Sequence, residues 1–344
     1  MAHDNLLHKL KVKSSKRETP DSVSLQLEPL DWQPTARAGQ FITIVFETPF
    51  GPKRRSYSLS SSPELGEPLT ITVKKIDNGE FSRPLNYEAW EGKILLCTGI
   101  HGKFVLPEKI GTDQFVFIAA GSGIVPCFSM IKVLLQKHNN RVSLIYSSRS
   151  AGQTIFLEEL NALKAKFKER FSFDHVLGTN RDITRRRLSK WLLADILNRV
   201  VKNEIASSYY LCGPFEFMQM CRVTLLTRTS QKQIFSERYD SYLPADLPAP
   251  PDKEPRLVTI RIKGNIFHIH VKYPDSVTKA AAKQGISLPY SCESGKCASC
   301  IASVVKGQMW MAYNQVLTDR EIQSGRILSC QAFPIHGDAE ISFD

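Results

Sequence analysis

The stretch CESGKCASC constrains this chain more than any other, because it brings three cysteines together in one short loop. Cys292, Cys297 and Cys300 follow a C-x4-C-x2-C pattern, and Cys330 follows further along the chain. This spacing with a distant fourth cysteine is the plant-type pattern that holds a [2Fe–2S] cluster. Small residues between the cysteines let backbone N–H groups approach the sulfurs. The sequence therefore predicts an iron–sulfur site made of these four thiolates.

Two other interpretations of the cysteines fit less well. Structural zinc prefers paired C-x2-C motifs, and only one such pair is present. Unliganded core cysteines would not gather in one loop. The other four cysteines, Cys97, Cys127, Cys212 and Cys221, lie singly in apolar stretches. They are expected to be ordinary buried thiols, with Cys212 as a partial exception that is taken up below.

Length and charge narrow the class of protein. The chain has 344 residues, enough for two or three domains, and a net charge of +11. The basic stretch 181–190 could attract a phosphorylated cofactor, an acidic partner or nucleic acid, but no zinc-finger spacing or basic heptad array favours nucleic acid. The chain shows neither a signal peptide's apolar core nor an apolar run of about 18 residues, so we expect a cytoplasmic protein without a membrane span.

Composition divides the chain into three folded parts and a linker. Residues 1–110 hold short β-type runs separated by turn residues, which predicts an antiparallel β-barrel. Residues 111–242 alternate strands with helices, which predicts a parallel sheet in an α/β domain. Residues 243–256 carry five prolines, which is typical of a linker.

The tail, residues 257–344, has the pattern of a small α+β domain of the β-grasp type. Two alternating strands surround a KGN turn, and a helix follows with Asp275 as the expected N-cap and Gly285 as its stop. The cysteine loop comes next, and Cys330 is expected on a neighbouring strand.

Two motifs in the front part offer groups for an anionic ligand. The run RRSYS provides Arg55 for a negative charge, Tyr57 as a flat ring and Ser58 as a hydroxyl. The run GEFS lies where a helix is expected to start, and a helix N-terminus is a ready anion site.

Glycine-rich turns mark a nucleotide site in the middle part. The run AAGSGIVP follows a buried strand and opens a helix, which is the context of a nucleotide-binding turn, although it lacks the third glycine of the Rossmann fingerprint. The run LCGP repeats this context after a later strand. Two such turns at the carboxyl ends of parallel strands define a ligand crevice.

In this order the motifs resemble the ferredoxin–NADP reductase superfamily joined to a C-terminal plant-type [2Fe–2S] ferredoxin domain. The chain is most similar to the reductase components of phenylacetyl-CoA epoxidase and of Rieske-type oxygenases. The resemblance covers essentially the whole chain through RRSYS, TVK, GEFS, GSGIVP with LCGP, and the cysteine loop.

The resemblance implies a role for each motif residue. Tyr57 would stack on the flavin ring, Ser58 would bind flavin N5, and Cys212 and Glu237 would lie at the reacting rings, which makes these four the expected catalytic residues. The other expected flavin-binding residues are Arg55, Ser56, Val73, Lys74, Gly79, Ser82 and Tyr239. The expected nucleotide-binding residues are Gly121, Ser122, Gly123, Pro126, Gly213 and Pro214, together with Cys212.

The flavin and the pyridine nucleotide can each be one of two kinds. The resemblance favours FAD over FMN. Arg149 and Arg181 lie beyond the second and third strands of the parallel sheet, where guanidinium groups could bind a 2′-phosphate, so NADPH is favoured over NADH.

A hydride carries two electrons and a [2Fe–2S] cluster accepts one, so a flavin is needed between them. The expected order is NAD(P)H, flavin, cluster and then an oxygenase or hydroxylase component. Two alternatives stay open: a redox-sensing or regulatory iron–sulfur protein without sustained turnover, and a flavin-free iron–sulfur carrier.

Overall fold

The chain forms three β-sheets that follow one another in sequence. The computed structural model describes residues 7–49, 51–239, 243 and 246–344. Each sheet has its own apolar core, and the α/β sheet has one core on each face.

The first sheet is an antiparallel barrel of six strands in the order β4-β3-β6-β1-β2-β5. An additional bridge between Leu59 and Ile71 joins the two edge strands. The run RRSYS lies within the edge strand β4 itself, whereas the sequence predicts it after a strand. The elements are β1 (His8–Thr19), β2 (Ser22–Pro29), β3 (Phe41–Phe46), β4 (Lys53–Ser58), β5 (Thr70–Lys74), α1 (Ser82–Tyr87) and β6 (Ile94–His101).

The second sheet has five parallel strands in the order β11-β10-β7-β8-β9. The strand order reverses between β7 and β10, which is where ligands bind in open α/β sheets. The elements are β7 (Gln114–Ala120), α2 (Ile124–Lys137), β8 (Arg141–Ser148), α3 (Leu157–Lys166), β9 (Phe171–Leu177), α4 (Lys190–Val200), β10 (Ser207–Cys212), α5 (Phe215–Leu226) and β11 (Ile234–Glu237).

The third sheet is mixed and has the order β13-β12-β16-β14-β15. The strands β12 and β16 run parallel and the other pairs are antiparallel. The elements are β12 (Arg256–Ile262), β13 (Asn265–Val271), α6 (Val277–Lys283), β14 (Ile301–Met311), α7 (Asp319–Gln323), β15 (Arg326–Leu328) and β16 (Ala332–Ser342). The predicted fold class, a barrel followed by a parallel α/β sheet and a small α+β sheet, is confirmed.

Two local predictions in the third part were wrong. Ser276, not Asp275, is the N-cap of α6, and the Asp275 carboxylate instead pairs with Lys283 at 2.5 Å. Cys330 lies in the turn between β15 and β16 rather than on a strand. The helix does end before Gly285, whose φ of 74° suits a glycine.

The domain boundaries at 110, 242 and 256 stay predictions. Residues 240–242 and 244–245, at the junction of the second part with the linker, lie outside the described residues. Among the helices that the structure describes, none is long and apolar enough to cross a membrane.

Candidate functional site

A cleft of about 1160 Å³ lies where the three sheets meet. The barrel contributes Arg55 and Ser58 to its wall, and the end of β11 contributes Glu237. The cysteine loop contributes Cys292 and Cys297. One cavity therefore joins residues predicted to bind the flavin with residues predicted to bind the cluster.

A small hydrogen-bond network lies at the inner end of this cleft. The Ser58 hydroxyl donates to Glu237 Oε2 at 3.1 Å and lies 3.1 Å from the Tyr239 hydroxyl. Burial raises the pKa of Glu237 to about 8, although the Ser58 hydroxyl acts in the opposite direction. At neutral pH this carboxyl therefore holds a proton beside Ser58.

Cys212 lies against the same network. Its side chain is fully buried, and burial together with the nearby Glu237 raises the pKa of its thiol well above the ordinary value. Cys212 is therefore a neutral thiol, and its predicted position beside the nicotinamide ring stays a prediction.

The other residues of RRSYS lie along β4. Tyr57 is half-buried and packs against the barrel core, and burial raises the pKa of its hydroxyl. The exposed Arg55 guanidinium donates to the Arg54 carbonyl at 2.7 Å and lies 5.3 Å from the centre of the Phe81 ring. Both side chains are accessible to a ligand in or beside the cleft.

The next barrel motifs take different positions. Val73 is buried in the barrel core, so only its backbone is available to a ligand. Lys74 Nζ lies 3.8 Å from the position that a β-carbon on Gly121 would occupy, so it reaches the first glycine-rich turn.

Ser82 Oγ, in the GEFS motif, accepts a hydrogen bond from the Ile76 amide at 3.0 Å. A β-carbon at Gly79 would lie 2.1 Å from that hydroxyl oxygen, which explains why a glycine stands there.

The two glycine-rich turns touch each other. A β-carbon at Gly123 would lie 2.1 Å from the Cys212 carbonyl oxygen, and one at Gly213 would lie 3.0 Å from the Ala120 β-carbon. Both turns stand at the carboxyl ends of neighbouring strands, β7 and β10. The glycines thus allow two loops to meet at the reversal of strand order.

The remaining nucleotide motif residues surround this meeting point. Ser122 is half-buried in the turn before α2, and Pro126 is the third residue of that helix. Pro214 is the N-cap residue of α5.

Arg149 and Arg181 are both exposed, beyond the ends of the neighbouring strands β8 and β9. A β-carbon at Gly178 would lie 2.8 Å from the Arg149 carbonyl oxygen, so the two loops that carry these arginines are in contact. The exposure of both arginines and the contact between their loops leave the predicted 2′-phosphate site a prediction.

The four predicted cluster cysteines form two pairs. Cys300 Sγ and Cys330 Sγ lie 3.2 Å apart, and the Cys292 and Cys297 thiols contact each other. The amides of Ser294 and Lys296 donate to Cys292 Sγ at 3.4 and 3.5 Å. Backbone donors of this kind stabilise a thiolate.

The loop backbone is shaped to place the thiols. Glu293, Gly295 and Ala298 all have positive φ, and a β-carbon at Gly295 would lie 2.8 Å from the Tyr313 carbonyl oxygen. The Gln331 side chain donates to the Glu293 carbonyl at 2.9 Å, which ties the loop to the turn that carries Cys330.

This arrangement fits a two-iron cluster. Within the described residues, no three His, Cys, Asp or Glu side chains converge as a single bound metal ion requires. Two thiol pairs with backbone donors instead match the ligand set of a [2Fe–2S] cluster. Cys292, Cys297, Cys300 and Cys330 are the residues that would hold it.

The structure also brings in two residues that the sequence did not connect to the tail. Ser56 Oγ lies 2.5 Å from the Oγ of Ser291, the residue directly before Cys292. The Ser56 hydroxyl also shares a hydrogen bond with the Thr43 hydroxyl. Arg54 donates to the carbonyls of Leu288 and Tyr290. Sequence patterns gave no signal of this contact, because the partners are more than 200 residues apart.

Two parts of the chain match families of known domains. Residues 260–334 match the 2Fe-2S iron-sulfur cluster binding domain, and residues 117–223 match the oxidoreductase NAD-binding domain. Fold and site thus define an oxidoreductase that carries electrons from a pyridine nucleotide through a flavin to a [2Fe–2S] cluster.

Individual relatives and solved structures show which oxidoreductases the chain is similar to. It is 29% identical to a component of the 1,2-phenylacetyl-CoA epoxidase of Escherichia coli (strain K12), covering 98% of each chain. It is also 29% identical to the ferredoxin reductase component of 3-ketosteroid-9-alpha-monooxygenase of Mycolicibacterium smegmatis, over 94% of this chain and 91% of the relative. Phthalate dioxygenase reductase shares the fold, with a TM-score of 0.61 and 23% identity over 98% of each chain.

The predicted resemblance to ferredoxin–NADP reductases with a C-terminal [2Fe–2S] domain is therefore confirmed, as are the enzyme class, the flavin and the cluster. The roles of individual residues stay predictions.

Proposed function

We propose that this protein is the NADPH-dependent FAD and [2Fe–2S] reductase component of an oxygenase or hydroxylase system. The observation that carries the proposal is the single cleft lined by Arg55 and Ser58 on one side, Glu237 on another and Cys292 and Cys297 on a third. Residues predicted to bind or contact a flavin and residues predicted to bind a cluster thus line one cavity.

The chain's own residues would bind and orient in this scheme, while the cofactors supply the redox chemistry. Ser58 would hold the reacting edge of the flavin, and the protonated Glu237 would hold a proton close to Ser58. The touching turns at Gly123 and Cys212 would hold the nicotinamide portion against the same edge. The amides of Ser294 and Lys296 would tune the cluster through its sulfur ligands.

The nucleotide preference rests on Arg149 and Arg181. Two exposed guanidinium groups on touching loops suit bidentate recognition of a 2′-phosphate. FAD is preferred to FMN on the resemblance alone, and release of the bound flavin followed by chromatography decides between the two.

The acceptor is proposed from the relatives. One of these relatives is a subunit of an epoxidase and the other is the ferredoxin reductase component of a monooxygenase. The net charge of +11 suits an acidic partner surface. We place the protein in the cytoplasm, because that compartment supplies reduced pyridine nucleotide.

Sustained turnover tests this function against a regulatory iron–sulfur protein. NADPH should support continuous reduction of cytochrome c at catalytic protein concentrations. A single stoichiometric reduction without turnover would instead favour the regulatory alternative, and an absorbance spectrum without flavin bands would favour a flavin-free carrier.

A further inference from the structure

Two consecutive arginines on β4 have different surroundings. Successive side chains of a strand point in opposite directions, so Arg54 and Arg55 leave β4 towards different neighbours, although both line the cleft. Arg55 is exposed, whereas Arg54 is only 8% exposed although it stands on an edge strand of the barrel. The contacts that bury Arg54 therefore indicate what this side chain does.

Those contacts belong to the segment that leads into the cysteine loop. Arg54 Nη1 donates to the Leu288 carbonyl at 2.6 Å and to the Tyr290 carbonyl at 3.3 Å. Arg54 Nη2 donates to Ser287 Oγ at 2.7 Å. Its Cζ lies 3.8 Å from the centre of the Tyr290 ring.

All these partners are uncharged, so the contact differs from a surface ion pair. A planar guanidinium with several fixed donors can bond two carbonyls and a hydroxyl while it stacks on a ring, and a lysine cannot. Ser56, two residues on and on the same face of β4, adds its bond to Ser291 next to Cys292. The strand β4, which carries the predicted flavin residues, thus forms hydrogen bonds with the segment 287–291, immediately before the first cluster cysteine.

We infer that Arg54 is a positioning residue that holds the cluster loop against the flavin strand and thereby sets the rate of electron transfer between the two cofactors. The inference rests on the proposed electron path. In the step it serves, one electron leaves the reduced flavin and enters the oxidised cluster. The second electron follows after an external one-electron acceptor has reoxidised the cluster.

The test follows both cofactors separately in the full-length holoenzyme. After anaerobic mixing with NADPH, flavin reduction is followed by absorbance and cluster reduction by its electron paramagnetic resonance signal. Arg54→Ala should leave the flavin phase unchanged and slow the cluster phase by about tenfold or more, the equivalent of one lost charge-assisted hydrogen bond. Arg54→Lys keeps the positive charge but not the planar guanidinium with its several donors, and it should give an intermediate rate of cluster reduction.

Arg170→Ala is the matched control. Arg170 also donates to three carbonyls, those of His138, Asn140 and Leu135, but all of them lie within the α/β part. Its loss should leave both phases unchanged. Hydrogen–deuterium exchange gives a second readout: the amides of residues 287, 288, 290 and 291 should exchange faster in Arg54→Ala and not in Arg170→Ala.

Two results would overturn the inference. One is an unchanged cluster phase together with unchanged exchange in Arg54→Ala. The other is an equal slowing of both phases, which would place Arg54 at the flavin itself. Should Arg54→Ala lose its flavin or fail to fold, Ser287→Ala and Tyr290→Leu remove the hydroxyl and the ring that Arg54 contacts, and the double variant should slow the cluster phase without changing the flavin phase. A wild-type protein whose cluster is not reduced through the flavin would defeat the proposed function and with it the electron-transfer role of Arg54, whereas hydrogen–deuterium exchange would still show whether Arg54 holds the loop.

Discussion

Glu237 shows how one residue's surroundings set its chemistry. A carboxyl with an ordinary pKa of 4.5 reaches about 8 in the folded chain because loss of solvent around this half-buried side chain disfavours the charged form more than the Ser58 hydroxyl stabilises it. Between these two pH values the folded chain holds a proton that the unfolded chain releases. The stability contribution of Glu237 therefore falls as pH rises through that window.

The same pKa predicts a pH dependence for flavin reduction. In the wild-type enzyme the rate of flavin reduction by NADPH should fall as pH rises through about 8, because a carboxylate replaces a neutral acid next to Ser58. Glu237→Gln keeps a neutral side chain and should lose this dependence in stopped-flow measurements from acid to alkaline pH. Glu28→Gln, at a surface ion pair on the barrel, is the control. A break near pH 8 that persists in Glu237→Gln would refute the role.

The nucleotide preference is also decided by single residues. Arg149→Ala and Arg181→Ala should each raise the KM for NADPH by about 10- to 100-fold and leave the KM for NADH nearly unchanged, since a charged hydrogen bond contributes about 1–3 kcal/mol. Arg141→Ala, at the opposite end of β8, should affect neither nucleotide. Equal effects on NADPH and NADH would remove the case for a 2′-phosphate site.

At the scale of elements, the two glycine-rich turns depend on each other. A side chain at Gly123 would meet the Cys212 carbonyl at 2.1 Å, so the start of α2 could no longer approach the end of β10. The backbone at Gly123 is ordinary helical, so close approach and not backbone strain requires the glycine.

Gly123→Ala should therefore weaken NADP⁺ binding by about 10- to 100-fold, the range expected for overpacking by one methyl group. The dissociation constant from difference spectroscopy is the measurement. Gly111→Ala is the matched control, because a β-carbon there meets nothing within 4 Å. Unaltered NADP⁺ affinity in Gly123→Ala would show that the turns do not need this contact.

Much of this element structure could be predicted from the sequence. The runs FSFDHVL and SSYYLC coincide with β9 and β10, because short runs rich in aromatic and aliphatic residues favour strands. The cysteine spacing similarly identified the four thiols. The N-cap of α6 was predicted one residue too early, since Asp275 and Ser276 are both common N-cap residues and the sequence pattern does not distinguish them.

At the scale of the whole molecule, the sequence could not show how the parts meet. Periodicity describes what each strand buries within its own sheet, but Arg54 reaches Leu288 across most of the chain. The ion pair of Lys103 with Glu321 likewise joins the barrel to the tail. A proline-rich linker suggested a separate module, yet the structure places the cysteine loop of that module in the wall of the cleft that Arg55 and Ser58 also line.

The most direct test of the electron order is Cys297→Ser in two acceptor assays. Cytochrome c reduction should be abolished, because it needs the cluster, whereas ferricyanide reduction directly from the flavin should continue at the wild-type rate. Cys221→Ser, at a buried thiol in the α/β part, should preserve both activities. Equal losses of both activities in Cys297→Ser, with the flavin still bound, would contradict an order in which the cluster lies after the flavin.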